Sequence, residues 1–152
     1  MDRRILLVLC LLIFTTLTIN WLRGGSNSQA ATGRAIRIGS QEYKIEVADT
    51  VMSQIRGLSG REGLADDHGM LFIFGSPATR SFWMKDMHFP IDIVWINQNK
   101  IIGFVENAEP SSGSIMPSTF SSPGPADMVL EISAGQVRKN NFQVGGLIEI
   151  VH

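Results

Sequence analysis

The chain has 152 residues, of which 44% are hydrophobic and 18% are charged; this fits one globular domain and excludes disordered and collagen-like chains. Its 13 basic and 14 acidic side chains give a net charge of −1, so it has no basic excess for binding nucleic acid. The single cysteine, Cys10, excludes an internal disulfide and any cysteine-rich metal site.

An uncharged apolar run at residues 5–19 follows a short basic start. This pattern is typical of a secretory signal peptide, and its extension to residue 22 also allows a signal anchor. We therefore predict a signal peptide or signal anchor over 1–23 and an exported, periplasmic or extracellular protein. It would be soluble if cleaved near Ala30 and otherwise anchored in the cytoplasmic membrane by residues 5–22, its only predicted membrane contact.

Residues 24–34 are small and polar and predict a linker, which leaves 35–152 as the domain. Within it, short runs of branched and aromatic residues are bounded by Gly, Pro, Asn or Asp, and such runs predict β-strands. Residues 97–99 separate two of these runs and predict a hairpin turn. The predicted strands are 41–48, 69–74, 81–85, 91–96, 100–106, 128–132 and 147–151.

Two short helices interrupt the predicted strands. Asp49 or Thr50 is expected to cap a helix that ends near Gly57, and Ser133 to cap a second helix over residues 134–141. Residues 110–127 contain four prolines and predict a long loop, which in a small domain is functional or mobile. The fold class is therefore mainly β, a single barrel or jelly-roll-like sandwich with two short helices.

Several sequence blocks occur in an order that resembles the DUF192 family. The most specific is FWMK, followed by Pro-Ile-Asp after four intervening residues. The resemblance covers about residues 40–151 and implies a compact, β-rich and often exported domain; it implies no activity, because the family is known mainly as a domain of unknown function. The blocks are RGLSGREGL (56–64), HGMLFIF (68–74), SFWMKDMHFPIDIVWI (81–96), IIGFVENAEP (101–110) and MVLEISAG (128–135).

The chain departs from the family pattern at two places. Members commonly have Asn-Thr after the FWMK lysine, where this chain has Asp86 and Met87. Many members also carry cysteines in the proline-containing loop, where this chain has Ser111, Ser112 and Ser114. A function that depends on thiols in that loop is therefore not expected here.

Lys85, Asp86 and Asp92 lie around one predicted turn, close in sequence to Trp83. This spacing predicts a compact cluster of a lysine and carboxylates beside an indole ring. Such a cluster would bind a small polar or carbohydrate-like ligand, with the indole as a stacking platform and residues 110–127 as a lid. The alternative is a structural ion pair that only fixes the turn, because structural and functional ion-pair networks look alike in sequence.

Arg61 follows a glycine-rich turn in a family-like block and is a further candidate. A guanidinium beside turn glycines binds an anion, or pairs with Glu62, Asp86 or Glu131. The ligand-binding candidates are therefore Arg61, Trp83, Lys85, Asp86 and Asp92.

The sequence contains no G-x-S-x-G, no H-E-x-x-H and no pair of histidines at helical spacing. It therefore favours a non-enzymatic binding or accessory module without a metal or cofactor. One alternative is a hydrolase or lyase that uses a carboxylate pair, Asp92 with Asp86 or Glu131. Another is a structural domain that contacts protein partners through residues 110–127.

Overall fold

The computed structural model describes residues 34–111 and 116–151. The predicted export segment, the cleavage site near Ala30 and all but the last residue of the linker lie outside these residues, so those predictions remain predictions. In the described part of the chain, no helix is both long and apolar enough to cross a membrane.

The described residues form nine strands and two short helices, which confirms a mainly β domain. The strands are β1 (Ala35–Ile38), β2 (Gln41–Ala48), β3 (His68–Ala78), β4 (Ser81–Trp83), β5 (Ile91–Asn97), β6 (Lys100–Ala108), β7 (Thr119–Ser121), β8 (Ala126–Ser133) and β9 (Ile148–Val151). The helices are α1 (Val51–Arg56) and α2 (Gln136–Lys139).

Seven strands form one curled sheet in the order β6-β5-β8-β3-β2-β1-β9, while β4 and β7 form a separate two-stranded sheet. In the large sheet, β2 and β3 are parallel and the other neighbouring strands are antiparallel. The edges of this sheet meet at one end, where Lys100 and Leu147 form a bridge and the Ile101 N–H donates to the Gly146 carbonyl at 2.9 Å. The sheet is thus a half-barrel rather than the predicted closed barrel or jelly-roll sandwich.

Alternating side chains give the sheet two apolar faces. The Tyr43 face carries the buried side chains of Tyr43, Leu71, Val94 and Leu130, together with Val137 of α2. The Phe72 face carries Met70, Phe72, Ile93, Trp95 and Val129, and is covered by Leu58, Met84 and Met87. Burying each large apolar side chain stabilises the domain by about 1.5–3 kcal/mol, so both faces contribute to the core.

Sequence patterns predicted the longer elements, and the local turn chemistry explains their ends. Thr50 caps α1 through a reciprocal pair of hydrogen bonds with Ser53, as the sequence indicated for one of its two candidates. Gln98 and Asn99 both have positive φ, at 49° and 60°, which is typical of the tight hairpin turn predicted between β5 and β6.

Two local predictions are wrong. Residues 110–127 do not form a loop throughout, because β7 lies within them and pairs with β4, placing Phe120 opposite Phe82. Ser133 does not cap α2: the cap position is Gly135, and the Ser133 hydroxyl instead donates to the Leu64 carbonyl at 2.8 Å.

Candidate functional site

An open cleft of about 350 Å³ lies on the Phe72 face, between α1 with its following turn, the end of β3, and β4. Its volume falls within the usual range for small-molecule sites, about 300–1,000 Å³. Aromatic rings supply much of its lining, and Glu131 of β8 also lines it. No described residue of the segment 110–127 does so, which gives no support to the predicted lid. The aromatic residues are Phe72, Phe74, Phe82 and Trp83.

Gly57 brings the backbone after α1 close to the Glu131 carboxyl. It ends the helix with φ 50°, a conformation that favours glycine. A Cβ at Gly57 would lie 3.4 Å from the Phe72 ring and 3.9 Å from Glu131 Oε2. The cap of a short helix therefore sets one wall of the cleft directly against the carboxyl.

Glu131 is a buried carboxyl without a partner. Its side chain is on the Phe72 face, in register with Met70 of β3 and Ile93 of β5, and the residue is only 5% exposed. Oε2 has no hydrogen-bond partner among the described residues. Burial raises the pKa of Glu131 to about 8, and the Arg61 charge only partly opposes this shift. At neutral pH the group is therefore mostly protonated, since ionising it without a partner is costly.

Arg61 pairs with a residue that the sequence did not indicate. Its Nη1 and Nη2 donate to the two carboxylate oxygens of Glu46, on β2, at 2.5 and 2.8 Å. These bonds lower the pKa of Glu46 and raise that of Arg61. The ion pairs predicted with Glu62, Asp86 or Glu131 are not formed. The nearby guanidinium is thus neutralised by Glu46, and Glu131 is left without a counter-ion.

Lys85 lies beside Trp83, an exposed residue of the cleft lining. Trp83 is 49% exposed, and Lys85 Nζ lies 5.9 Å from the centroid of its ring, within the range of a cation–π contact. The neighbouring Phe82 points the other way and packs edge-on against Phe72 and Trp95, with centroids 4.7 and 5.5 Å apart. The predicted pairing of the lysine with the indole is present, and the alternation along β4 leaves the indole accessible.

Asp86 serves the turn through its backbone. Its φ is 54°, and its carbonyl accepts a hydrogen bond from the Gly60 N–H at 2.8 Å. The preceding carbonyl, of Lys85, accepts from the Ser59 hydroxyl at 2.8 Å. These bonds tie the FWMK turn to the turn after α1. The Asp86 side chain is exposed and does not line the cleft.

Asp92 lies on the opposite face of the sheet. It is completely buried, and its carboxylate accepts hydrogen bonds from the backbone N–H groups of Asn107, Gly135 and Val137 at 2.9, 3.1 and 2.8 Å. It forms no ion pair with Lys85 among the described residues. The predicted cluster of Lys85 with Asp92 therefore does not form, and Asp92 holds α2 and the end of β6 against β5.

Two arginines line the cleft that were not among the ligand-binding candidates, Arg56 and Arg80. The Arg80 guanidinium carbon lies 3.8 Å from the Phe74 ring centroid; Nε donates to the Ala126 carbonyl at 3.3 Å and Nη2 to the Ser76 carbonyl. In the sequence, Arg80 lies directly before the SFWMK block. It follows β3, which extends to Ala78 and was predicted to end at residue 74. In the described ranges, no set of three or more potential metal ligands is grouped together.

The family model DUF192, described as "Uncharacterized ACR", matches residues 34–150. The chain belongs to the DUF192 family. This membership confirms the resemblance found in the sequence blocks, and the half-barrel agrees with the compact, β-rich domain that the resemblance implied.

Two solved structures share the fold. One, from Sinorhizobium meliloti 1021, is described as a "putative transcription regulator"; it is 31% identical with a TM-score of 0.69, over 78% of this chain and 92% of that chain. The other, a protein of unknown function from Novosphingobium aromaticivorans DSM 12444, is 24% identical with a TM-score of 0.68, over 83% and 99% of the two chains. No curated protein matches the chain.

Proposed function

We propose that this DUF192 domain is a non-enzymatic binding module that takes one small polar or carbohydrate-like ligand in the cleft beside Trp83. The observation that carries the proposal is the Glu131 carboxyl, which is buried, lacks a hydrogen-bond partner among the described residues and lines an aromatic cleft. Buried polar groups are almost always hydrogen-bonded, so a ligand atom is the natural partner for this one.

The aromatic lining determines how the ligand would lie. Trp83 offers an exposed ring face at the mouth, on which the apolar face of a sugar or a planar ring would stack. Glu131 would then accept or donate a hydrogen bond at the inner end of the cleft. Of the candidates that the sequence indicated, this arrangement retains Trp83 as a contact, gives Arg61 a positioning role beside Glu131, and leaves Asp86 and Asp92 as structural residues.

A carboxylate-dependent hydrolase is the second candidate, favoured by one observation. A pKa near 8 would allow Glu131 to act as a general acid at neutral pH. The second carboxylate that such a reaction needs is harder to assign. Asp92 lies on the other face, and both oxygens of Glu46 are bound to Arg61. Binding without catalysis therefore agrees better with the geometry.

Saturation-transfer NMR on the full chain tests the binding proposal. The probes are two matched sets, benzoate with benzyl alcohol and benzylammonium, and glucuronate with glucose and glucosamine. We expect at least one probe to receive saturation at millimolar concentration, and Trp83→Ala to abolish the signal. Leu147→Ala removes another exposed apolar side chain, outside the cleft, and is the matched control that should keep it. If none of the six probes binds, the proposal is wrong.

The export prediction becomes part of the proposal, because its residues lie outside the described part of the chain. N-terminal sequencing of the protein recovered from the medium or periplasm would support it by giving a start near residue 31. A start at Met1 in the membrane fraction would support an anchor, and recovery of the intact chain from the cytosol alone would contradict export. We do not propose for this chain the role of transcription regulator with which the Sinorhizobium protein is described, because a net charge of −1 gives the chain no overall basic excess for DNA.

A further inference from the structure

We propose that the cleft selects a small organic carboxylate over the neutral and cationic analogues of the same molecule. This inference rests on the proposed binding function and adds the charge of the ligand to it.

The first argument is the distribution of charge around the cleft. Arg37, Arg61 and Arg138 each form an ion pair with a carboxylate. Arg56 and Arg80 line the cleft and form none with any described residue. Because the one carboxyl in the lining is mostly protonated at neutral pH, the cleft carries uncompensated positive charge and attracts an anion.

The second argument is that Arg80 is held in place before any ligand arrives. It stacks on Phe74 and donates to two backbone carbonyls through Nε and Nη2. None of these contacts uses Nη1, which keeps its N–H donors for an incoming oxygen. A charged N–H donor forms a stronger hydrogen bond with a carboxylate oxygen than with a neutral acceptor, and a fixed guanidinium loses little entropy on binding.

The third argument concerns the charges that face Glu131. Arg61 is near enough to oppose its pKa shift, but that arginine is bound to both oxygens of Glu46. The protonated Glu131 can therefore donate its O–H to a ligand carboxylate, a charge-assisted bond that is stronger than a neutral one. An ammonium ligand would instead face Arg56 and Arg80, and its one carboxylate counter-ion in the lining would be an ionised Glu131, which burial disfavours.

The same NMR titrations test the charge preference by comparing members within each matched set. We expect benzoate to bind at least about tenfold more tightly than benzyl alcohol, and benzylammonium to bind most weakly, since one charged hydrogen bond accounts for about tenfold or more. Glucuronate should exceed glucose and glucosamine in the same order. Neutral or cationic members that bind as tightly as the acids would overturn this inference and leave the binding proposal intact, whereas no binding by any probe contradicts the binding proposal itself.

Variants locate the preference in the cleft. Arg80→Gln and Arg56→Gln should each weaken benzoate binding while changing benzyl alcohol binding little; Arg56 is exposed, so its variant serves even if replacing Arg80 disturbs folding. Arg34→Gln removes another exposed arginine, outside the cleft, and should change neither. Benzoate affinity should also fall as the pH rises through about 8, where Glu131 ionises, and Glu131→Gln should remove that fall. Equal losses for all three arginine variants would show only a general charge effect and overturn the proposal.

Discussion

Two buried carboxyl groups on neighbouring strands of the same sheet have opposite surroundings. Asp92 of β5, on the Tyr43 face, accepts three backbone hydrogen bonds. Glu131 of β8, on the Phe72 face, has an oxygen without a partner among the described residues. Both are almost inaccessible to solvent, so burial does not distinguish them. The number of hydrogen-bond donors that face each carboxyl group does distinguish them: Asp92 holds the fold together, whereas Glu131 is the group to which the proposed function assigns a ligand.

The largest expected effect comes from replacing Asp92, the carboxylate that accepts three backbone hydrogen bonds. Asp92→Ala leaves the N–H groups of Asn107, Gly135 and Val137 without their acceptor. Each lost bond to a buried partner costs about 1–3 kcal/mol, so we expect the free energy of unfolding to fall by about 4 kcal/mol or more. Urea unfolding monitored by circular dichroism measures it, with Asp49→Ala as an exposed acidic control. A loss below about 1 kcal/mol would show that these bonds do not hold α2 in place.

The second-largest expected effect is a gain in stability when Glu131 is replaced, and its size depends on pH. Burial raises the folded-state pKa of Glu131 from 4.5 to about 8, so this group stabilises the fold fully only below about pH 4.5 and loses that contribution as the pH rises to about 8. At pH 7 the loss is about 3 kcal/mol, at about 1.4 kcal/mol per pH unit. Glu131→Gln should therefore be more stable than the wild type by about that amount at pH 7 and nearly equal to it at about pH 4.

Urea unfolding of both proteins across this pH range measures the difference. A stability gap that stays constant with pH would show that the folded and unfolded states titrate alike, and that Glu131 is not kept protonated by burial. The Arg61–Glu46 ion pair remains in both proteins, and the effect of the Arg61 charge on Glu131 is already included in the pKa of about 8.

The smallest effect is expected at the third acidic candidate, Asp86, where only the backbone conformation matters. At φ 54°, asparagine is tolerated as well as aspartate, so Asp86→Asn should change the unfolding free energy by less than about 0.5 kcal/mol. Asp86→Ala should cost about 1 kcal/mol, because alanine disfavours that region. Equal costs for the two variants would place the importance of Asp86 in its carboxylate instead.

The sequence was sufficient for the strands that have several alternating residues, such as β2 and β5, and it narrowed the α1 cap to Asp49 or Thr50, of which the structure has Thr50. It was insufficient for β7, because three residues between prolines carry no measurable period. The sequence could not show that Asp92 is hydrogen-bonded and Glu131 is not, since each is one acidic residue in an apolar strand. The difference depends on which backbone N–H groups face each carboxyl group in the fold. The Arg61–Glu46 pair joins residues from two segments, and the register of β2 alone does not reveal it.

The parallel pairing of β2 with β3 has a consequence for how the cleft can vary. Two parallel neighbours cannot be joined by a tight turn, so residues 49–67 must make a crossover connection that returns the chain to the starting end of the sheet. That connection contains α1, Gly57 and Arg61. Insertions there would reshape the wall of the cleft and leave the hydrogen-bonded strands intact, so the shape of the cleft can change without rebuilding the core.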